Sequence, residues 1–143
     1  MEKIRKISLI AAPLILIVIV YKWYEGKQQA QYGNIAYISK GINRSIPVRL
    51  KLEVYFAEKG KLPSSNEGLN LPSPESFSDN VLQSLKIQER GIIRLTFTVK
   101  SGVEGGTIDY IPTPNAATHS LEWQCVTSSF ENIESWRPDC RFE

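Results

Sequence analysis

The sequence predicts an α+β fold. A long N-terminal helix, apolar in its first (transmembrane) part and amphipathic in its second, packs on a four-stranded antiparallel sheet that ends in a C-terminal disulfide loop. Three observations predict it. From Ile7 to Tyr21 the chain carries no charge, and only Ser8 and Pro13 interrupt the apolar run. From Ile35 to Ala57 apolar residues recur at spacings of three and four, the period of one helix face. Between residues 84 and 125, short β-branched and aromatic runs alternate with turns marked by Gly and Pro.

With Lys22, Trp23 and Tyr24 as interfacial residues, segment 7–24 offers about 18 residues, near the lower limit for crossing a bilayer as a helix. Lys3, Arg5 and Lys6 precede it with only Glu2 opposing them, which predicts a cytoplasmic basic end at 1–6 and puts 25–143 outside. A cleaved signal peptide would be followed by small residues, whereas Tyr21-Lys22-Trp23-Tyr24-Glu25 is bulky and charged. A buried core helix would need a larger core than the mostly polar remainder supplies. The expectation is a single-pass membrane anchor with the lipid bilayer as its partner.

The 143 residues leave room for one domain beyond that anchor. The net charge of +2 is unevenly placed. Residues 1–63 hold eleven Lys/Arg against four acids, and residues 64–143 hold six against eleven. An acidic distal half disfavours a nucleic-acid-binding head, which needs clustered Lys/Arg. Cys125 and Cys140 are the two cysteines, and an even pair outside the cytoplasm reads as one disulfide.

In order, the amphipathic helix (33–60) carries Ile35, Ile38, Ile42, Ile46, Leu50, Val54 and Ala57 on its apolar stripe, with Arg44, Lys51 and Glu58 elsewhere. Pro47 is expected to kink or restart it, with Ser45 as a new N-cap, and Gly60 with Pro63 to end it. Residues 61–80, rich in Ser, Pro, Asn and Glu, read as a surface loop. Four strands follow: a weak one at Leu85–Gln88, a strong one at Ile92–Val99, a return at Thr107–Ile111 closed by Pro112 and Pro114, and His119–Cys125. The sheet face with Phe97, Leu121 and Trp123 is expected to pack on Ile46, Leu50 and Val54. The disulfide loop (125–140) closes about 15 residues, which contributes roughly 3 kcal/mol in the chain-entropy description.

Leu121-Glu-Trp-Gln-Cys125 followed by Trp136-Arg-Pro-Asp-Cys140-Arg141 resembles the disulfide-bounded C-terminal loop of type IVa pilins. Val54-Tyr-Phe-Ala-Glu-Lys-Gly-Lys-Leu-Pro-Ser-Ser65 is similar to the helix end and loop start of the same proteins. The strands Asn80-Val-Leu-Gln-Ser-Leu-Lys-Ile, Gly91-Ile-Ile-Arg-Leu-Thr-Phe97 and Thr107-Ile-Asp-Tyr-Ile-Pro-Thr113 fit between them, so the resemblance covers roughly Ile35 to Arg141. It implies a pilin-like structural protein of the type IV pilus system, in the bacterial inner membrane with a periplasmic head, or in the pilus. The implied partners are other pilin subunits or assembly proteins, with a role in adhesion or pilus biogenesis. The chain departs from the family at its start. Pilin precursors carry a Gly-Phe cleavage site and a Glu at the fifth mature position, but here no Gly precedes residue 26, no Phe precedes residue 56, and no acid lies between Ile7 and Tyr21. The expectation is therefore either a filament subunit or an uncut, membrane-held accessory that assists or regulates pilin assembly, the missing cleavage site favouring the second. A DNA-binding minor pilin is a third reading, which the acidic head disfavours.

No enzyme chemistry is expected, and no cofactor, metal or small-molecule substrate. His119 stands without a Cys/His/Asp cluster. Gly102-x-x-Gly105-Gly106 precedes a strand rather than a helix, unlike a phosphate cradle. Glu131, Glu134 and Asp139 read as a solvated acidic rim. Asn43-Arg-Ser45 matches the glycosylation tripeptide but falls inside a predicted helix. The resemblance implies that loops 61–80 and 126–139 carry subunit contacts, adhesion or display. The candidate interaction residues are Phe130, Trp136, Arg137 and Arg141, with Phe130 and Trp136 each either a core filler or a contact anchor.

Overall fold

The computed structural model describes the backbone from Glu2 to Glu143 and the side chains of residues 13–143 other than Ala30 and Tyr32. Helix α1 (Glu2–Lys59) leads the chain, and contacts divide the protein into two units, Met1–Gly33 and Asn34–Glu143.

In the first unit, the expected cytoplasmic end (1–6) and the first part of the expected anchor (7–12) lie outside the described side chains. The described apolar run extends from Pro13 to Tyr21 before Lys22, Glu25 and Lys27 follow. Among the described residues no helix is long and apolar enough to cross a membrane. The expected single-pass inner-membrane location is therefore corrected, because the structure does not support it.

In the second unit, α1 contributes one layer and the sheet the other. The buried face of α1 is Ile38, Gly41, Ile42, Ser45, Val48 and Leu52. This corrects the expected stripe: Ile46, Leu50 and Val54 are exposed, Leu50 at 57%. Gly41 sits on the seam because a Cβ there would run into the Phe97 ring and the Leu82 side chain. Ser45 is fully buried and donates its hydroxyl to the Ile42 carbonyl at 2.7 Å, so no polar group is stranded there. Pro47 neither breaks nor restarts the helix. It and Asn43, whose carbonyl loses its N–H partner, are both exposed, so water can satisfy that carbonyl. The helix ends as its sequence indicates: Gly60 takes φ 65° and donates its N–H to the Phe56 carbonyl at 2.8 Å.

We expect Leu50→Asp to leave the melting temperature of the protein unchanged within about 2 °C, since an exposed substitution costs about 0.5 kcal/mol or less. Thermal unfolding checks this, and a drop of ten degrees would return Leu50 to the core.

The loop from 61 to 80 is fastened rather than free. Pro63, Asn66 and Leu69 are buried. Asn66 Nδ2 donates to the Pro72 and Leu85 carbonyls, both at 3.0 Å, and Oδ1 accepts the Ile87 N–H at 2.7 Å. One amide thus covers the outer edge of the first strand and holds the loop across it.

Five strands form one sheet in the order of the chain: β1 (Leu82–Ile87), β2 (Ile93–Phe97), β3 (Thr107–Asn115), β4 (Ser120–Thr127) and β5 (Cys140–Phe142). The first three pairings are antiparallel and β4–β5 is parallel. The expected four strands are corrected to five. The added strand has three residues and lies at the edge, where Cys140 stands opposite Cys125. A second correction is that β3 continues through Pro112 and Pro114, which face Trp123 and Leu121. Pairing with β2 stops at Tyr110, so this part of β3 has a neighbour on one side only, and the missing N–H groups can fall on the open edge. Ile93, Leu95 and Phe97 point inward as their alternation predicts, while Arg94 on the outer face makes two hydrogen bonds to Asp109 directly opposite, at 2.8 and 2.6 Å.

Asp79 opens β1. Its Oδ1 accepts the Val81 and Leu82 N–H groups at 2.7 and 2.8 Å, and its other oxygen pairs with Arg44 of α1. Burial by itself pushes the carboxyl up, but the Leu82 and Val81 N–H groups, then the Arg44 and Lys40 charges, hold it below its ordinary value of 3.8. A folded pKa below the unfolded one stabilises the fold at pH values above the unfolded value, and the gain disappears as pH falls through the folded value. We expect stability to drop below about pH 4, and Asp79→Asn to flatten that drop. Urea unfolding at a series of pH values measures it; identical acid profiles for the two proteins would remove Asp79 from the account.

Candidate functional site

The surface made by the disulfide loop and the adjoining flank of α1 gathers most of the unusual side chains. After β4 the chain turns through Phe130 and a short 3-10 turn at Ile133–Ser135, then returns to β5. Cys125 and Cys140 are bonded, both sulfurs are buried, and their Cα atoms are 4.3 Å apart. Phe130 is buried edge-on against Phe97, centroids 5.5 Å apart at 88°, above Gly106, where a Cβ would meet its ring. Ile133 is buried behind it. Trp136 is half-buried against the core, and Arg137 is half-buried with Nε 3.0 Å from Asp139 Oδ1. Arg141 is exposed on β5 and lines a groove of about 300 Å³ with Trp123, Pro138, Asp139 and Glu143. Of the four candidate interaction residues, the loop thus brings Trp136, Arg137 and Arg141 to the surface and turns Phe130 inward.

On the helix side, Trp123 Nε1 donates to Glu53 Oε1 at 2.7 Å, which ties β4 to α1. Tyr110 on β3 is buried under Arg49, whose guanidinium carbon is 4.4 Å from the ring centroid. Burial pushes the Tyr110 hydroxyl up from its ordinary value; the Arg49 and Arg137 charges pull it back only in part. Arg49, Glu53 and Tyr110 were not singled out by the sequence. Nothing local says that Arg49 finds a tyrosine face or that Glu53 finds an indole. His119 is exposed at φ 53° in the turn between β3 and β4. Among the described residues no group of three or more His, Cys, Asp or Glu converges as metal ligands would.

A family model for pilins, the subunits of bacterial filaments, matches residues 36–141. The chain belongs to the pilin family. The match spans the packed half of α1, the sheet and the disulfide loop, so the surface described above lies within the pilin-like region. No curated protein matches the chain. Pilins are structural proteins, and the family suggests assembly with other pilin subunits.

Proposed function

We propose that this pilin-family protein is a structural subunit of a type IV pilus filament, and that α1 is the element through which it packs on its neighbours. The observation that carries this reading is the exposed apolar stripe Ile46, Leu50 and Val54, which the sheet leaves uncovered. An exposed apolar row on a rigid helix is an unpartnered packing face. The first unit adds Leu14 to Tyr21, whose described side chains are each more than half exposed. Neighbouring copies supply the cover that both rows lack. The loop 126–139 with its half-buried Trp136, and the exposed Arg141 next to it on β5, then serve contacts between heads or adhesion.

The experiment is to shear filaments from cells and look for this chain in them. The natural chain is expected in the filament fraction and the Leu50→Asp chain is expected to be missing from it while still folded and disulfide-bonded. A natural chain absent from the filaments would end the subunit reading, and the accessory reading would take its place.

A further inference from the structure

The two edges of the sheet carry features that fit each other. At the β1 edge, loop 61–80 and the strand leave an open groove of about 390 Å³. Its apolar lining comes from Leu71, Pro72, Pro74 and Ile87, and its two charged residues are Glu67 and Lys86. The Asn66 amide holds the groove in shape, joining the Pro72 carbonyl to Leu85 and Ile87 of β1. At the β5 edge, Phe142 is 41% exposed. Its strand end is fixed as well: the Phe142 N–H donates to Glu134 Oε1 at 3.3 Å, and the Glu143 N–H donates to the Thr127 carbonyl at 2.9 Å. Arg141 and Glu143 flank it in sequence, both exposed.

A fixed, exposed aromatic beside charged residues, and a fixed apolar groove that also carries both signs of charge, are the two halves of an anchor-and-pocket contact. One chain cannot bring its own halves together, because β1 and β5 lie four strand spacings apart, about 19 Å. We propose that Phe142 of one copy seats in the groove between loop 61–80 and β1 of a second copy. Charge supports that occupant. The pairing register puts Lys86 and Arg141 on the same outer face as Arg94 and Asp109, and Glu143, two residues on, returns to that face. Sheets that meet edge to edge can therefore set Glu143 beside Lys86, while Glu67 offers the sign opposite to Arg141. None of these four charges is in an ion pair among the described residues. Anchor and groove sit on opposite edges of one sheet, so the contact is head-to-tail and can repeat from copy to copy, as a filament requires. The inference rests on the assembly reading above and adds to the helix stripe a contact between heads.

The test places the photoreactive aromatic p-benzoylphenylalanine at position 142 of the full chain and irradiates a mixture of heavy-isotope-labelled and unlabelled copies. Peptides joining position 142 to residues 64–74 or 86–87 of a differently labelled copy are the expected product. Alongside, Phe142→Ala is expected to weaken self-association in sedimentation about tenfold while the disulfide and the melting temperature are kept. Lys86→Glu is expected to weaken it too, and Lys86→Glu combined with Glu143→Lys to restore it. Copies that associate but join position 142 only to other segments, or that keep the natural affinity in Phe142→Ala, would overturn the contact and leave the assembly reading standing. A charge swap that restores nothing would do the same. Natural chains that do not self-associate at all would overturn both.

Discussion

Asn66→Asp is expected to destabilise the head by about 3 kcal/mol or more at neutral pH, although it changes one atom. The natural amide donates to the Pro72 and Leu85 carbonyls and accepts from the Ile87 N–H, and the residue is buried. A carboxylate keeps the acceptor and loses both donors, so its second oxygen faces two carbonyl oxygens with no water to separate them. Burial and that repulsion raise the introduced group's folded pKa above the unfolded value near 4. In the window between the two values the folded state holds more protons than the unfolded one, so stability falls as pH rises through it. The penalty is then partly relieved on going from pH 7 toward pH 5, a slope opposite in sign to the Asp79 contribution in its own lower window. Urea midpoints at the two pH values, followed by tryptophan fluorescence, measure both effects. Equal midpoints for the variant and the natural protein at pH 7 would mean that the loop is not fastened by this amide.

How far the sequence discloses this fold depends on how local each signal is. The β2 strand is legible because Ile93, Leu95 and Phe97 alternate with Arg94 and Thr96, and the sheet buries one face only. The helix was legible as a helix, but its inward face was not. Stepping by four from Ile42 to Ile46, Leu50 and Val54 advances about 40° beyond a full turn each time, so three steps carry the stripe about 120° around the axis. The true seam includes Gly41 and Ser45, small or polar residues that hydrophobicity alone ranks last. They are there because Phe97 needs the space over Gly41, and because the Ser45 hydroxyl finds a carbonyl in its own helix. Asn66 sits in a Ser/Asn/Glu-rich stretch that reads as solvated loop, and its three partners are visible only once β1 is in place. For the candidate site, the cysteine pair was legible from number, two cysteines making one even pair. The fifth strand was not, since Cys140–Phe142 is too short to show a period and pairs only where the chain is tied. Arg49 and Tyr110 each look ordinary alone, and only the fold brings the guanidinium over the ring.

Cys140→Ser is expected to cost about 2–5 kcal/mol and to release the loop from 126 to 139, because little else holds β5. The strand is three residues long, pairs with β4 in parallel, and has no neighbour on its other side. Parallel pairing is slightly weaker per residue, and a short edge strand has few ladder bonds to lose. The covalent link joins residues directly opposite each other and closes a loop with a sequence separation of 15, worth about 3 kcal/mol through the freedom it removes from the unfolded chain. Both cysteines are buried, so the free Cys125 thiol and the new hydroxyl would also stay where neither is well satisfied. The loop's own anchors, Phe130 on Phe97 and Ile133 in the core, hold its first half, while Trp136 and Arg137 near Cys140 depend on the link. Unfolding midpoints should therefore fall for the variant and for the natural protein under reductant alike. Limited proteolysis with a glutamate-specific protease should cut first after Glu131 or Glu134 rather than after Glu122 in β4. A variant with the natural midpoint and no new cleavage would show that β5 is held by its packing, with the disulfide adding nothing measurable.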